Sequence, residues 1–216
     1  MYKGGKQKIK EVLCYFWVFV LTSFLGFLAE TLWCFLKYKK VESRKGVIYE
    51  PIIPIYGIAG VLILFVVDKF KLIEWYQLFL IGFIISTIVE FISSFLQEKI
   101  FATKSWDYSS FKLNFCGRIN LLYSILFGFV SLFSYEFVLK YFLNYYNNIN
   151  IKATFIILSF LMLIFMLYDF IISSIAVYRM KERKRNIKRN NKFFKYIDNK
   201  YTDKYLKRVY PNMIDV

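Results

Sequence analysis

No histidine occurs in the 216 residues. That excludes imidazole acid–base chemistry and leaves a His/Cys zinc site without its usual ligands. Cysteine is scarce as well. Cys14, Cys34 and Cys116 show no C-x-x-C spacing, and their odd number does not fit a disulfide framework. No Gly-x-x-x-x-Gly-Lys-Ser/Thr string is present, so the chain has no phosphate loop with which to hydrolyse ATP itself. Acids are outnumbered two to one, 15 against 30 Lys and Arg, giving a net charge of +15. The sequence carries no nucleic-acid motif, so the basic charge is read as membrane topology and no nucleic-acid partner is expected. Nothing points to a cofactor or a metal, and no catalytic constellation stands out.

Hydrophobic residues make up 58% of the chain, gathered into long runs separated by lysine-rich segments. That distribution marks transmembrane helices. The runs do not alternate as barrel strands would, and lipid leaves open backbone groups unsatisfied. The expected fold is therefore all-α, a polytopic membrane protein of about five helices. Expected spans cover residues 12–36, 51–67, 76–96, 119–139 and 153–178. A basic segment, 1–11, precedes the transmembrane domain, 12–178, and a basic tail, 179–216, follows it. The first run is too long for a typical signal-peptide core and no small-x-small site follows it, so it reads as a retained span.

Charge sets the expected orientation. With five spans, the first loop, the third loop and the tail share one side. That side holds 22 Lys and Arg against eight on the other. The positive-inside rule then puts the N-terminus outside and the tail in the cytoplasm of a multi-pass cell-membrane protein. The lipid bilayer is the first expected partner. The tail's Lys and Arg, interleaved with Phe193, Phe194 and Tyr196, suit anionic headgroups.

Four acids lie inside or at the ends of spans: Glu30, Glu90, Glu136 and Asp169. An acid at a helix centre costs about 2.5–3.5 kcal/mol on insertion scales, so it should face protein or water. Glu136 lies near a span end, within reach of the interface. Thr22, Gly26 and Glu30 form one small or polar stripe; Gly82, Ser86 and Glu90 form another. Such stripes allow close helix approach. Arg44 and Arg118 are the expected partners of Glu30 and Glu90. The order acid, polar loop, tyrosine recurs at Tyr56-Gly57 and Tyr123-Ser124, which suggests a parallel two-helix repeat.

Two loops carry the most specific strings. One contains Arg44, Gly46, Pro51, Pro54, Tyr56 and Gly57. The other contains Trp106-Asp107-Tyr108-Ser109 and then Asn114, Gly117 and Arg118. Together with Gly26-x-x-x-Glu30 and Glu90, in this order, they make the chain similar to a bacterial family known as ABC-transporter type IV, or CmpB-like. The resemblance spans about residues 15–178. It implies a permease, hence a separate ATPase subunit. So small a membrane domain would form a homodimer to build a two-fold pathway. Two other functions fit the residues. One is a membrane enzyme or lipid-binding protein in which Glu30, Glu90 and Asp107 supply acids and Arg44 and Arg118 an anion clamp. The other is a non-catalytic sensor or scaffold that works through its tail. Asp169 joins these residues as a buried polar position.

Overall fold

The computed structural model describes residues 2–72 and 74–216. Its main elements are α1 (Tyr2–Tyr38), α2 (Pro54–Phe70), α3 (Trp75–Phe101), α4 (Leu121–Ser134), α5 (Lys140–Asn148) and α6 (Ala153–Lys184). A π-helical turn, Tyr135–Leu139, joins α4 to α5 without a break. The fold is all-α, with only two-residue strands in addition.

Four helical stretches are long and apolar enough to cross a bilayer: Gly5–Tyr38, Trp75–Phe101, Leu121–Asn148 and Ala153–Lys184. The remaining expected span is α2. It starts at Pro54 rather than Pro51 and has 17 residues. At 1.5 Å per residue this spans about 25 Å, short of a ~30 Å hydrocarbon core. Pro54 lies at the helix start, where its missing N–H costs little. Pro51 remains in the preceding loop.

Two antiparallel helical hairpins build the body. In the first, α1 and α2 approach closely because small residues line their seam. A Cβ on Gly57 would strike the Phe19 ring, and one on Gly60 would strike Thr22. Val18 and Leu64 are buried together further along. In the second hairpin, Gly82 of α3 takes Ser131 of α4 against its backbone. The two hairpins join through Ile63, Val67 and Leu78, packed with Leu132 and Tyr135.

Helix α6 lies along the first hairpin and runs in the same direction as α1. Trp17 Nε1 donates to Ser159 Oγ at 3.0 Å and its ring stacks on Phe155. Further along both helices, Phe16, Phe19 and Val20 pack with Met162 and Met166. Many large apolar side chains on the outside remain exposed, Phe160, Leu161, Phe165 and Phe170 on α6 among them. On a water-soluble protein such a belt would be a liability; it suits a lipid solvent.

The tail is folded. Helices α7 (Lys192–Lys200) and α8 (Asp203–Val209) turn back under α6. Ile197, Tyr201 and Leu206 share a core with Ala176 and Met180 of α6 and with Ile48. A terminal strand, Ile214–Asp215, pairs with Thr103–Lys104 after α3. Its charge alone predicts only a basic tail, and the packed core against α6 is what the structure adds.

Candidate functional site

Gly26 is the starting point. It lies on α1 opposite Tyr56 of α2, and any Cβ there would overlap the phenol ring. The ring therefore lies flat on α1 and its hydroxyl reaches one turn further, donating to Glu30 Oε1 at 2.7 Å. Gly57, next to Tyr56, serves the same close approach against Ser23 and Phe19.

The second hairpin treats Glu90 similarly but by a different route. Tyr108, from the loop after α3, donates its hydroxyl to Glu90 Oε1 at 3.0 Å. Its ring stacks on Tyr123 of α4 with centroids 4.8 Å apart. Glu90 is 5% exposed, and its second oxygen, Oε2, is buried without a hydrogen-bond partner. Tyr56 meets Phe127 of α4 edge to face with centroids 6.2 Å apart, so the tyrosine that serves Glu30 packs against the second hairpin.

The expected arginine partners lie elsewhere. Arg44 donates to Cys34 Sγ at 3.1 Å and sits 3.8 Å from Glu42. Arg118 pairs with Glu98 at 2.8 Å and reaches Ser94. Among the described residues, neither Glu30 nor Glu90 has a basic partner within salt-bridge distance. Each arginine pairs with an acid of its own region instead, Arg44 with Glu42 in the same loop and Arg118 with Glu98 in the last turn of α3, with only 15% and 14% of the arginine side chains exposed. The anion clamp considered for a lipid enzyme is therefore not assembled. Glu136 is the one acid of the four expected near an interface, and it pairs with Lys140 at 3.2 Å on the outside.

Asp169 has a separate, architectural task. It is fully buried on α6 and accepts three successive backbone N–H groups: Ile48 at 3.1 Å, Tyr49 at 2.9 Å and Glu50 at 2.8 Å. Ser173 donates to the same carboxylate at 3.0 Å. Charge-assisted bonds of this kind offset the cost of burying the acid. The loop they hold is no solvated connection, since Val47 and Ile48 are 2% and 3% exposed. Gly46 closes it by donating to Ile52 O at 2.7 Å, and a side chain there would meet Pro54. Glu50 is drawn into the same region. Burial, reinforced by the Asp169 charge, pushes its carboxyl up to about 7.

The second motif loop is also self-contained. Trp106 Nε1 donates to Arg118 O at 2.9 Å, and Tyr108 N to Gly117 O at 2.8 Å. Asn114 Oδ1 accepts the Gly117 N–H at 2.9 Å. Gly117 has φ +65 and lies against Asp107, so both conformation and space call for glycine. Asp107 accepts the Ser109 N–H at 2.9 Å, and that bond holds its carboxyl below the usual range. The Trp-Asp-Tyr-Ser and Asn-x-x-Gly-Arg strings are thus the two halves of one loop, and its product is the position of Tyr108. The sequence reading singled out these residues but missed Tyr123 as a stacking partner and the tyrosine–acid bonds themselves.

A family model described as Putative ABC-transporter type IV matches residues 17–174. The chain belongs to this family. The match runs from the middle of α1 to α6 and so contains both hairpins, both motif loops and Asp169. For a member of the family, the fold reads as a multi-pass membrane protein related to transport. No curated protein and no solved structure matches the chain.

Proposed function

We propose that this ABC-transporter type IV family member is a permease-like subunit with a polar site between its two hairpins, near the cytoplasmic leaflet. The observation that carries the reading is Glu90 Oε2, a buried carboxylate oxygen without a hydrogen-bond partner among the described residues. An ionised group left this way in an apolar interior is costly, and such residues mark solute or ion paths in membrane proteins. The chain has no phosphate loop, so energy from ATP has to come from a separate ATPase subunit. A homodimer would supply a two-fold pathway.

The reading takes α2 as a fifth, short crossing. Helices α1 and α6 run the same way, as the Trp17–Ser159 bond and the paired ends at Ile48 and Asp169 require. Parallel first and last helices need an odd number of crossings, which counts α2 as a short span beside α1. Basic residues concentrate on the side of the first and third loops and the tail, which puts the N-terminus outside. Glu30 and Glu90 then lie toward the inner leaflet.

Affinity purification from membranes in mild detergent tests the reading. A co-purifying phosphate-loop ATPase in fixed stoichiometry is expected. Recovery of the chain alone from cells that produce it natively, under conditions that preserve a known transporter complex, would remove the permease reading.

A further inference from the structure

The folded tail sits at the depth where lipid headgroups begin. Apart from the buried Asp169, the apolar run of α6 extends from Ala153 to Tyr178. At 1.5 Å per residue that is about 38 Å, longer than a ~30 Å hydrocarbon core, so the last turns of the run reach the headgroup layer. There Ile172 and Ala176 share a core with Ile197, Tyr201 and Leu206 of the tail. One turn deeper, Tyr168 stacks on Tyr49 of the first motif loop, with centroids 6.4 Å apart. Helix α7 therefore lies against the membrane surface. Tyrosine and lysine, with an apolar body and a polar tip, are the residues that favour this layer.

The charges of the tail are unevenly spent. It holds 13 Lys and Arg against four acids. Glu182 is taken by Arg179 and Arg189, Asp198 by Arg179 and Arg183, Asp203 by Arg183, and Asp215 by Lys184. Lys200, in the last turn of α7, has no acid within ion-pair distance among the described residues. Its ammonium instead stands over three phenol rings, 5.3 Å from the Tyr201 centroid, 5.5 Å from that of Tyr196 and 5.7 Å from that of Tyr49. The rings attract the cation but supply no counter-charge. The Tyr49 and Tyr201 hydroxyls face each other at 2.5 Å. One hydrogen serves that contact, so one of the two hydroxyls keeps a hydrogen for a further acceptor. Tyr196 is 54% exposed and presents a third phenol beside them. Lys45 Nζ lies 3.1 Å from the Tyr49 carbonyl and brings a second ammonium to the same residue.

We propose that Lys200, with Tyr49, Tyr196 and Tyr201, binds the phosphate of an anionic phospholipid from the adjoining leaflet. The ammonium supplies the charge and the phenols supply directed hydrogen bonds, a combination that suits a phosphate oxygen. The depth of the tail core puts headgroup phosphates within reach. A zwitterionic lipid would carry its own ammonium into a surface that is already cationic, so an anionic headgroup is preferred. Tyr49 belongs to the loop that Asp169 holds, whereas Tyr196 and Tyr201 come from the tail. A lipid bound between them joins the first motif loop to α7 at one point. No ATPase and no solute takes part, so the proposal stands apart from the permease reading.

Native mass spectrometry of the full chain tests this. The protein is equilibrated in micelles that hold phosphatidylglycerol and phosphatidylcholine in equal amounts, and retained lipid is counted as collision energy rises. One phosphatidylglycerol per chain should outlast every other lipid. Lys200→Met keeps the length of the side chain and removes its charge; it should lower the retained fraction at least fivefold. Lys207→Met removes the same charge from an exposed position on α8 and should leave retention unchanged. Tyr196→Phe alters only an exposed hydroxyl, so it serves if Lys200→Met fails to fold, and it should weaken retention severalfold. Glycerol phosphate at the concentration of the lipid should not displace it. Equal losses in Lys200→Met and Lys207→Met would reduce the site to diffuse surface charge and overturn the proposal. Unchanged retention in Lys200→Met or, where that variant does not fold, in Tyr196→Phe would overturn it too. So would a preference for phosphatidylcholine, or displacement by glycerol phosphate, which would mark a site for soluble phosphates instead.

Discussion

Tyr56 reaches Glu30 only because Gly26 stands one turn before it on α1: the phenol ring occupies the space a side chain at Gly26 would need, and its hydroxyl ends 2.7 Å from the carboxylate. A glycine and an acid four residues apart thus act as one device. The first provides a bed for the ring and the second accepts the hydrogen bond from its hydroxyl.

Gly26→Val should break that device. The added methyls would displace the ring, costing about 1–3 kcal/mol as overpacking does. Thermal unfolding in detergent should show the loss. Tyr56→Phe in the native background should cost less, on the order of 1 kcal/mol for one hydrogen bond. A Gly26→Val protein as stable as the parent would mean the two helices do not meet as described.

Asp169 should matter more to loop structure than to any solute. Removing it in Asp169→Ala leaves the Tyr49 and Glu50 N–H groups without their acceptor, while Ile48 N–H keeps Ser173 Oγ at 2.9 Å, a loss of about 2–3 kcal/mol. Limited proteolysis should then cut near residues 46–50, where the native loop resists. Asp169→Asn retains one acceptor oxygen and should fall between. Equal resistance in all three proteins would show that the loop is held by its apolar packing alone.

The all-α membrane fold was readable because long apolar runs have one stable answer in lipid. Glu30, Glu90 and Asp169 stood out for the same reason: each is expensive where it lies. Their partners were not readable. Arginine is the obvious counter-charge for an acid, yet Tyr56 and Tyr108 took the role, since a hydroxyl placed by glycine packing leaves no local charge pattern. The start of α2 was not readable, because its apolar run extends into the loop at Pro51 whereas the helix begins only at Pro54. The folded tail was hidden by its charge. Its short amphipathic turns find their core on α6, a contact that sequence periodicity over nine residues does not reveal.

Glu50 gives a pH signature. Its carboxyl is pushed up to about 7 by burial and by Asp169, while in the unfolded chain it titrates near the ordinary value of about 4.3. The folded state therefore holds more protons between those limits. Its contribution to stability should be fully present below about 4.3, fall as pH rises, and be lost above about 7. Thermal unfolding of the native protein and of Glu50→Gln, compared across pH 4 to 8, should show this slope only in the former. A slope shared by both would place the titration elsewhere.

The tail should detach when its ion pairs are cut. Arg179 is buried and pairs with Glu182 and, at 2.6 Å, with Asp198. Burial opposes the Asp198 charge, but bonds from Arg179 and Arg183 outweigh it and hold its carboxyl below the usual range. Arg179→Ala leaves Asp198 with Arg183 alone and Glu182 with Arg189 alone, and each lost charge-assisted bond costs about 1.5–3 kcal/mol. Trypsin should then release the tail at a rate that the native protein does not show. Asp198 adds stability that is present above its unfolded value and is lost as pH falls through its lowered folded value, so acid should mimic the mutation. Unchanged tail cleavage in Arg179→Ala would assign the docking to Ile197, Tyr201 and Leu206 instead.

The crossing pattern is tested most directly by labelling single cysteines from either face of sealed, oriented vesicles. Cys14, Cys34 and Cys116 are first replaced by Ser, and then Lys8, Ser43, Lys71, Ser110, Asn148 and Lys188 are changed to Cys one at a time. An impermeant maleimide should reach Lys8→Cys, Lys71→Cys and Asn148→Cys from outside and the other three only from within. Finding Lys71→Cys on the same face as Ser43→Cys would mean that α2 does not cross, and the shared depth assigned to Glu30 and Glu90 would go with it.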